Sequence, residues 1–382
     1  MIRFSVWIFL GLAFLLVSVV LWNAAPVTPG FQTDFIRQTV GKEEKPFYKE
    51  EFMNAGQNLP FVHVASIVEL NDHSLAGLWY GGPYEYNHEN AIYMAKQRDG
   101  SWQEARAIMT PTQAQHDLER PFKCLGNPLL LANPDGSLRL LFVTIAMGKW
   151  SGSQLNTCLS KNGGLSWSRA ERLTLSPLFN FSELVRNRPV PLVGGGWCVP
   201  IYQEFLGKFP ELLWLKEHDG KLSYKKTRIA GGCSTLQPSL IPLDAKRAIV
   251  LLRDYTSEKR IFITRTEDSG HFWSKPEPTI LPNPDAGISG LRLSDGQLLV
   301  AYNDSTEKRD TLSLALSKDE GLTWRQISNL ENDSNKSFSY PYLIQSSDGI
   351  IRLAYTWNST LIKMISFNEA WIGTQAAQNS EN

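Results

Sequence analysis

The sequence lacks a dominant charge: its 38 Lys and Arg are matched by 38 Asp and Glu. A balanced chain offers no electrostatic ground for nucleic acid as a partner, so any charge that serves function must be local. Histidine and cysteine are scarce, at 6 and 4 residues. Cys124, Cys158, Cys198 and Cys233 form no CxxC pair and have no close histidine, so neither a metal site nor a metal cofactor is expected, and no other cofactor is implied. Apolar neighbours such as "GWCVP" suit buried free thiols, with one disulfide as the alternative. The body of the chain also lacks any sustained 3.6-residue apolar period, which excludes a helical architecture.

One long apolar run is present. "SVWIFLGLAFLLVSVVLW", from Ser5 to Trp22, carries no charge, follows Arg3 and is closed by Pro26, Pro29 and Gly30. Its length suits a membrane span, and the "NAAP" after it is a poor cleavage site. Residues 1–25 are therefore read as an anchor, with secretion after cleavage as the alternative. Arg3 places the rest outside the cytoplasm, periplasmic or extracellular. Residues 26–58 read as a tether, part of which could add a strand to the last repeat. Residues 370–382 read as a polar tail.

Between them, a short phrase recurs: "SKNGGLSW" from Ser160, "TEDSGHFW" from Thr266 and "SKDEGLTW" from Ser317. The closing tryptophans, Trp167, Trp273 and Trp324, mark a period of about fifty residues, the signature of repeated architectures. Worn copies end at Trp102 and Tyr224. Ahead of each copy stands a pair of apolar runs split by an acidic or glycine turn, as in "NPLLLANPDGSLRLLFV" and "YPYLIQSSDGIIRLAY", and six such units are visible over residues 59–369. Asp-Gly between β-branched runs signals a hairpin, so each unit is four antiparallel strands. Six such sheets bury both faces when arranged radially, which predicts an all-β, six-bladed β-propeller.

With the strands of a blade called A to D from axis to rim, the Asp-Gly turns (A–B) and the recurring phrase (C–D) fall on one end. The starts of A, the ends of B and the B–C loops share the other, where a pocket can form on the axis. The A strands start at His63, Asn127, Arg188, Gln237, Ser289 and Tyr340. The B ends and B–C loops add Tyr80, Glu85, His88, Tyr202, Glu204, Arg253, Asp254, Asn303, Arg309 and Trp357. Polar groups at the converging ends of apolar strands are costly unless they pair with one another or with a ligand. Several arginines near one axis point to a carboxylate, which the guanidinium fork binds bidentately.

The recurring phrase resembles the Asp-box, Ser-x-Asp-x-Gly-x-Thr-Trp, of the sialidase (BNR-repeat) superfamily, although Asn162 stands where the first copy should have Asp. The phrases "RNRP", "LLRDY" and "LPNPDAGISGLRLSDGQLLVAYND" resemble the branch called predicted neuraminidases. The resemblance implies a six-bladed propeller that releases a terminal acidic sugar from a glycan. It implies Tyr340 as nucleophile, with Glu204 as its base, Glu85 on the first-blade loop for the acid/base role, and Arg188, Arg253 and Arg309 as a carboxylate clamp. Asn127, Gln237 and Asn303 would support the substrate. His63 stands near the arginine that the family has in blade one, and the loop "GGPYEYNHEN" offers Glu85, His88 and Glu89 but no aspartate. A histidine, a tyrosine and arginines around one pocket also suit a lyase acting at a uronate. A non-catalytic glycan-binding propeller is the third reading.

Overall fold

In a computed structural model, which describes residues 11–12, 14, 29–33, 45–177, 180–218, 221–229 and 234–378, the chain forms six antiparallel sheets of four or five strands each. Blade one contains Phe61–Glu69, Leu75–Gly82 and Ala91–Arg98, with Ser101–Trp102 and Arg106–Met109 at its rim. Blade two is Cys124–Ala132, Leu138–Ile145, Ser153–Ser160 and Glu171–Arg172. Blade three begins with two short pieces, Leu184–Val185 and Val190–Pro191, followed by Trp197–Gln203, Phe209–His218 and Lys221–Arg228. Blade four is Thr235–Pro242, Ala248–Asp254, Arg260–Thr266 and Glu277–Pro282, and blade five is Ser289–Arg292, Leu298–Tyr302, Thr311–Ser317 and Arg325–Asn332.

Blade six takes three strands from the C-terminal end, Phe338–Gln345, Ile351–Trp357 and Leu361–Phe367. Its outer strand, Tyr48–Phe52, comes from the segment expected to be a tether. This ties the two ends of the ring together, with the short strand Tyr48–Phe52 as the outer edge of the blade. Part of the expected polar tail is likewise ordered: Glu369–Gln378 is a helix, whose Trp371 stacks on Tyr48 with ring centroids 4.9 Å apart. The inner strands are apolar on both faces because each sheet packs on two neighbours. Leu138–Ile145, Thr235–Pro242 and Ala248–Asp254 are buried throughout.

The apolar run read as a membrane span lies almost wholly outside the described residues. Among the described residues, no helix is long and apolar enough to cross a membrane. Farther on, Phe31 is fully buried on the Asp-box end: its N–H donates to Ala245 O at 2.9 Å, and its ring stacks on Trp214.

The Asp-boxes act within their own turns. Asp319 Oδ1 accepts the Thr323 N–H at 2.8 Å, and Asp268 Oδ1 accepts the Phe272 N–H at 2.9 Å. Asn162 makes the same bond, to the Ser166 N–H at 2.9 Å, so the departure from the repeat costs it no geometry. Cys124, Cys158 and Cys198 are buried free thiols, and Cys233 lies outside the described residues.

Candidate active site

The A strands of four blades share one irregularity. Two residues bulge out of register after His63, Gly126, Leu236 and Ser339, and the first of each bulge, Val64, Asn127, Gln237 and Tyr340, has a positive φ of 45–57°. Such backbone is strained for any side chain and most of all for β-branched Val64, so the surrounding structure must enforce it. A bulge turns the next side chain off the sheet face and re-aims it. Here it delivers Asn127, Gln237 and Tyr340 to a cavity of about 560 Å³.

Blade three solves the same position differently. Its inner strand breaks between Val185 and Val190, and residues 186–189 link the two pieces. Asn187 Nδ2 donates to Gln237 O and Pro238 O of blade four, both at 2.9 Å. Arg186 donates to Ile288 O at 2.8 Å and to Pro341 O, the carbonyl beside Tyr340, at 2.6 Å. Arg186 is 3% exposed, its Nε has no partner, and among the described residues its bonds go only to neutral oxygens. Burial pushes its pKa down to about 10, against a pull upward from Tyr340. A buried guanidinium without a carboxylate is costly unless an anion completes it.

Three guanidinium groups surround one phenol. Arg186 Cζ lies 5.1 Å and Arg309 Cζ 5.4 Å from the centre of the Tyr340 ring, and Arg253 lines the same cavity. Burial pushes the Tyr340 hydroxyl up, but Arg309, Arg253 and Arg186 together outweigh it, and the net shift is downward. Arg253 and Arg309 are held in turn by Asp285: Arg253 Nε donates to its Oδ1 and Arg309 Nη2 to its main-chain oxygen, both at 2.8 Å. Behind the phenol, a Cβ on Gly287 would stand 2.8 Å from Tyr340 Cδ1 and 3.0 Å from Arg186 Cζ, so only glycine leaves room for both.

The imidazole of His63 meets the Tyr340 ring edge-on, with centroids 4.8 Å apart. Burial, and then Arg309 and Arg186, push its pKa down to about 3, so it is neutral at ordinary pH. Glu204 also lines the cavity and accepts from Lys208 Nζ at 2.8 Å. Gln237 Nε2 donates to Tyr202 Oη at 3.1 Å, and Asn127 lines the wall with a buried, unpaired Oδ1.

The structure thus brings Tyr340, His63, Glu204, Arg253, Asn127 and Gln237 to one cavity, with Arg309 against Tyr340. Glu85 stands one bond behind the wall, accepting from Nε1 of the lining Trp150 at 3.3 Å, and His88 and Glu89 are exposed on its loop. Two expectations are corrected. Arg188 lines a different cavity, with Asp244, Arg292 and Asp295 on the Asp-box end. Arg188 and Tyr340 each precede a proline, but the break in blade three shifts the register so that Arg186 reaches the site instead. Asn303 is fully buried and spent on main chain, donating to Thr311 O and to Phe338 O, so it ties blade five to blade six and does not line the cavity. Asp285, in "NPDAG", carries no local sequence signal that singles it out. Among the described residues, no cluster of His, Cys, Asp or Glu could hold a metal ion.

A sequence model of the family described as BNR repeat-like domain matches residues 73–353. No curated protein matches. Among solved structures, the Hadza microbial sialidase Hz136 superposes with a TM-score of 0.66 at 17% identity, over 80% of this chain, which spans 65% of that protein. The intramolecular trans-sialidase of Ruminococcus gnavus, solved with oseltamivir carboxylate, has a TM-score of 0.65 at 12% identity, over 84% of this chain and 97% of that one. A Dyadobacter fermentans protein of unknown function has a TM-score of 0.66 at 13% identity, over 84% and 99%. At these identities the likeness establishes the fold.

Proposed function

Because the chain belongs to the BNR repeat-like domain family, within the sialidase superfamily, we propose that it is a glycoside hydrolase that releases a terminal carboxylate-bearing sugar, sialic acid or a similar acid, from a glycan. The observation that carries this reading is the convergence of Arg186, Arg253 and Arg309 on Tyr340. Carboxylate binding would complete the buried charge of Arg186, and the guanidinium fork suits that anion. The solved trans-sialidase in complex with oseltamivir carboxylate supports the same class of ligand.

In this mechanism Tyr340 reacts as its phenolate. Its Oη bonds to the anomeric carbon as the bond from that carbon to the leaving oxygen breaks, and Glu204 as a carboxylic acid gives its proton to that oxygen. Water, losing a proton to the Glu204 carboxylate, then attacks the anomeric carbon and frees Tyr340. Of the two lining carboxylates, Glu204 takes these transfers, once bound substrate draws away its ion-pair partner, Lys208 Nζ, at 2.8 Å. Asp285, the other, is held by Arg253.

A lyase reading draws on neutral His63 beside Tyr340, a pair suited to moving a proton next to an arginine-held uronate. Incubation with acidic oligosaccharides distinguishes the two. The hydrolase releases a saturated acidic monosaccharide, the lyase yields an unsaturated product that absorbs in the ultraviolet, and binding without product marks a non-catalytic propeller. Anchoring through residues 5–22 with the propeller outside the cytoplasm belongs to this reading. Phe31 joins the propeller at the end opposite the cavity, an arrangement that would leave the cavity open.

A further inference from the structure

The mouth of the axial cavity is apolar along one arc and polar along the other. On the B–C loops of blades one to four stand Tyr84 at 62% exposure, Met147 at 78%, Phe205 at 51%, Leu206 at 83% and Tyr255 at 58%. Tyr255 lines the cavity itself, and each of the others is within two residues of a lining side chain: Tyr86, Lys149, Glu204 and Lys208 respectively. Phe205 is braced edge-on against Phe181, with centroids 4.5 Å apart, so part of this arc is pre-formed. The facing loops of blades five and six, "NDSTEKRD" and "WNST", carry no exposed large apolar residue. Scattered apolar residues on a surface are ordinary, but five on successive loops beside the lining of one polar, arginine-bearing cavity mark where a ligand changes from charged to apolar.

We propose that the substrate is an acidic glycoside with an apolar aglycone, whose alkyl or aryl group leaves the cavity over the arc formed by Tyr84, Met147, Phe205, Leu206 and Tyr255. The inference rests on the proposed function for the acidic sugar and adds the chemistry of what that sugar is attached to. The charged ring lies on the arginines, the glycosidic oxygen stands at the mouth, and the aglycone turns toward blades one to four, where contact with the exposed side chains removes apolar surface from water on both partners.

Calorimetric titration of the full chain with octyl and methyl α-glycosides of N-acetylneuraminic acid, both kept below any micelle concentration, tests this. Octyl glucoside serves as the neutral control. The octyl sialoside is expected to bind at least about tenfold more tightly than the methyl sialoside. Leu206→Asn combined with Met147→Asn should abolish that difference while leaving the methyl sialoside's affinity unchanged, since both residues stand outside the cavity. Equal affinity of the two sialosides, or an octyl preference that survives the substitutions, overturns the apolar arc and leaves the proposed function standing. Octyl glucoside binding as tightly as the octyl sialoside also overturns it, by showing an apolar patch unconnected to the acid site. Failure of every sialoside to bind, while another acidic sugar does, overturns this inference and leaves the proposed function standing. Failure of all acids overturns the proposed function and this inference with it.

Discussion

Asp285 holds Arg253 by its carboxylate and Arg309 by its main-chain oxygen, each at 2.8 Å, so one residue from the connection between blades four and five sets the spacing of two guanidinium groups. Its φ of 54° is a left-handed conformation, which turns the carboxylate and the carbonyl toward the two neighbouring blades. Asp285→Ala should raise the Kd for a carboxylated sugar by about tenfold or more and also lower the thermal midpoint, because it leaves Arg253 buried without its carboxylate. Titration calorimetry beside a melting curve checks both. Unchanged affinity would mean that the two arginines hold their places without it.

Tyr340 owes its lowered pKa to arginines that outweigh its burial, Arg309 foremost. A nucleophile that works as phenolate gains activity as pH rises through that pKa. Arg309→Gln removes a charge that favours the phenolate, so the rising limb of kcat against pH should move to higher pH. Movement in the other direction, or none, would show that Tyr340 ionisation does not govern the rate.

His63 is buried as the neutral form, with a pKa pushed down to about 3 from an ordinary 6.5. Below pH 6.5 the unfolded chain takes up a proton that the folded chain refuses. Folding stability should therefore fall as the pH drops from 6.5 toward 3, with a contribution of up to about 1.4 kcal/mol per pH unit from this residue. Above pH 6.5 the residue contributes no slope. Denaturant titrations of His63→Gln between pH 4 and 6 should show a shallower dependence than the parent.

The Asp-box carboxylate at Asp319 accepts the Thr323 N–H and hydroxyl within its own turn, far from the cavity. Asp319→Ala is expected to cost about 1–2 kcal/mol of stability and to leave the affinity for acidic sugars unchanged. A loss of affinity without a loss of stability would move the box from scaffold to site.

The repeat was legible because strand periodicity and Asp-Gly turns are local properties. Six pairs of apolar runs spaced about fifty residues apart leave a propeller as the way to bury both faces of every sheet, and they also indicate which end carries chemistry. Tyr340, Arg253 and Arg309 follow from that polarity. Arg186 could not be separated from Arg188 in "RNRP", because the choice depends on a break in blade three enforced by carbonyls of blades four, five and six. Asp285 was hidden for the same reason: its partners stand 32 residues upstream and 24 residues downstream. Asn303 looked like a site residue by its position at a strand end, and only the placement of blade six shows its amide spent on Phe338 O.

The central claim is that Tyr340 attacks the anomeric carbon of an acidic sugar held by Arg186, Arg253 and Arg309. Incubation of the full chain with a fluorinated sialosyl fluoride, followed by peptide mass spectrometry, tests it most directly. The predicted result is one sugar adduct on the peptide bearing Tyr340, absent from Tyr340→Phe. An intact, unlabelled Tyr340 in a protein that nonetheless releases acidic sugar from glycosides would contradict the claim.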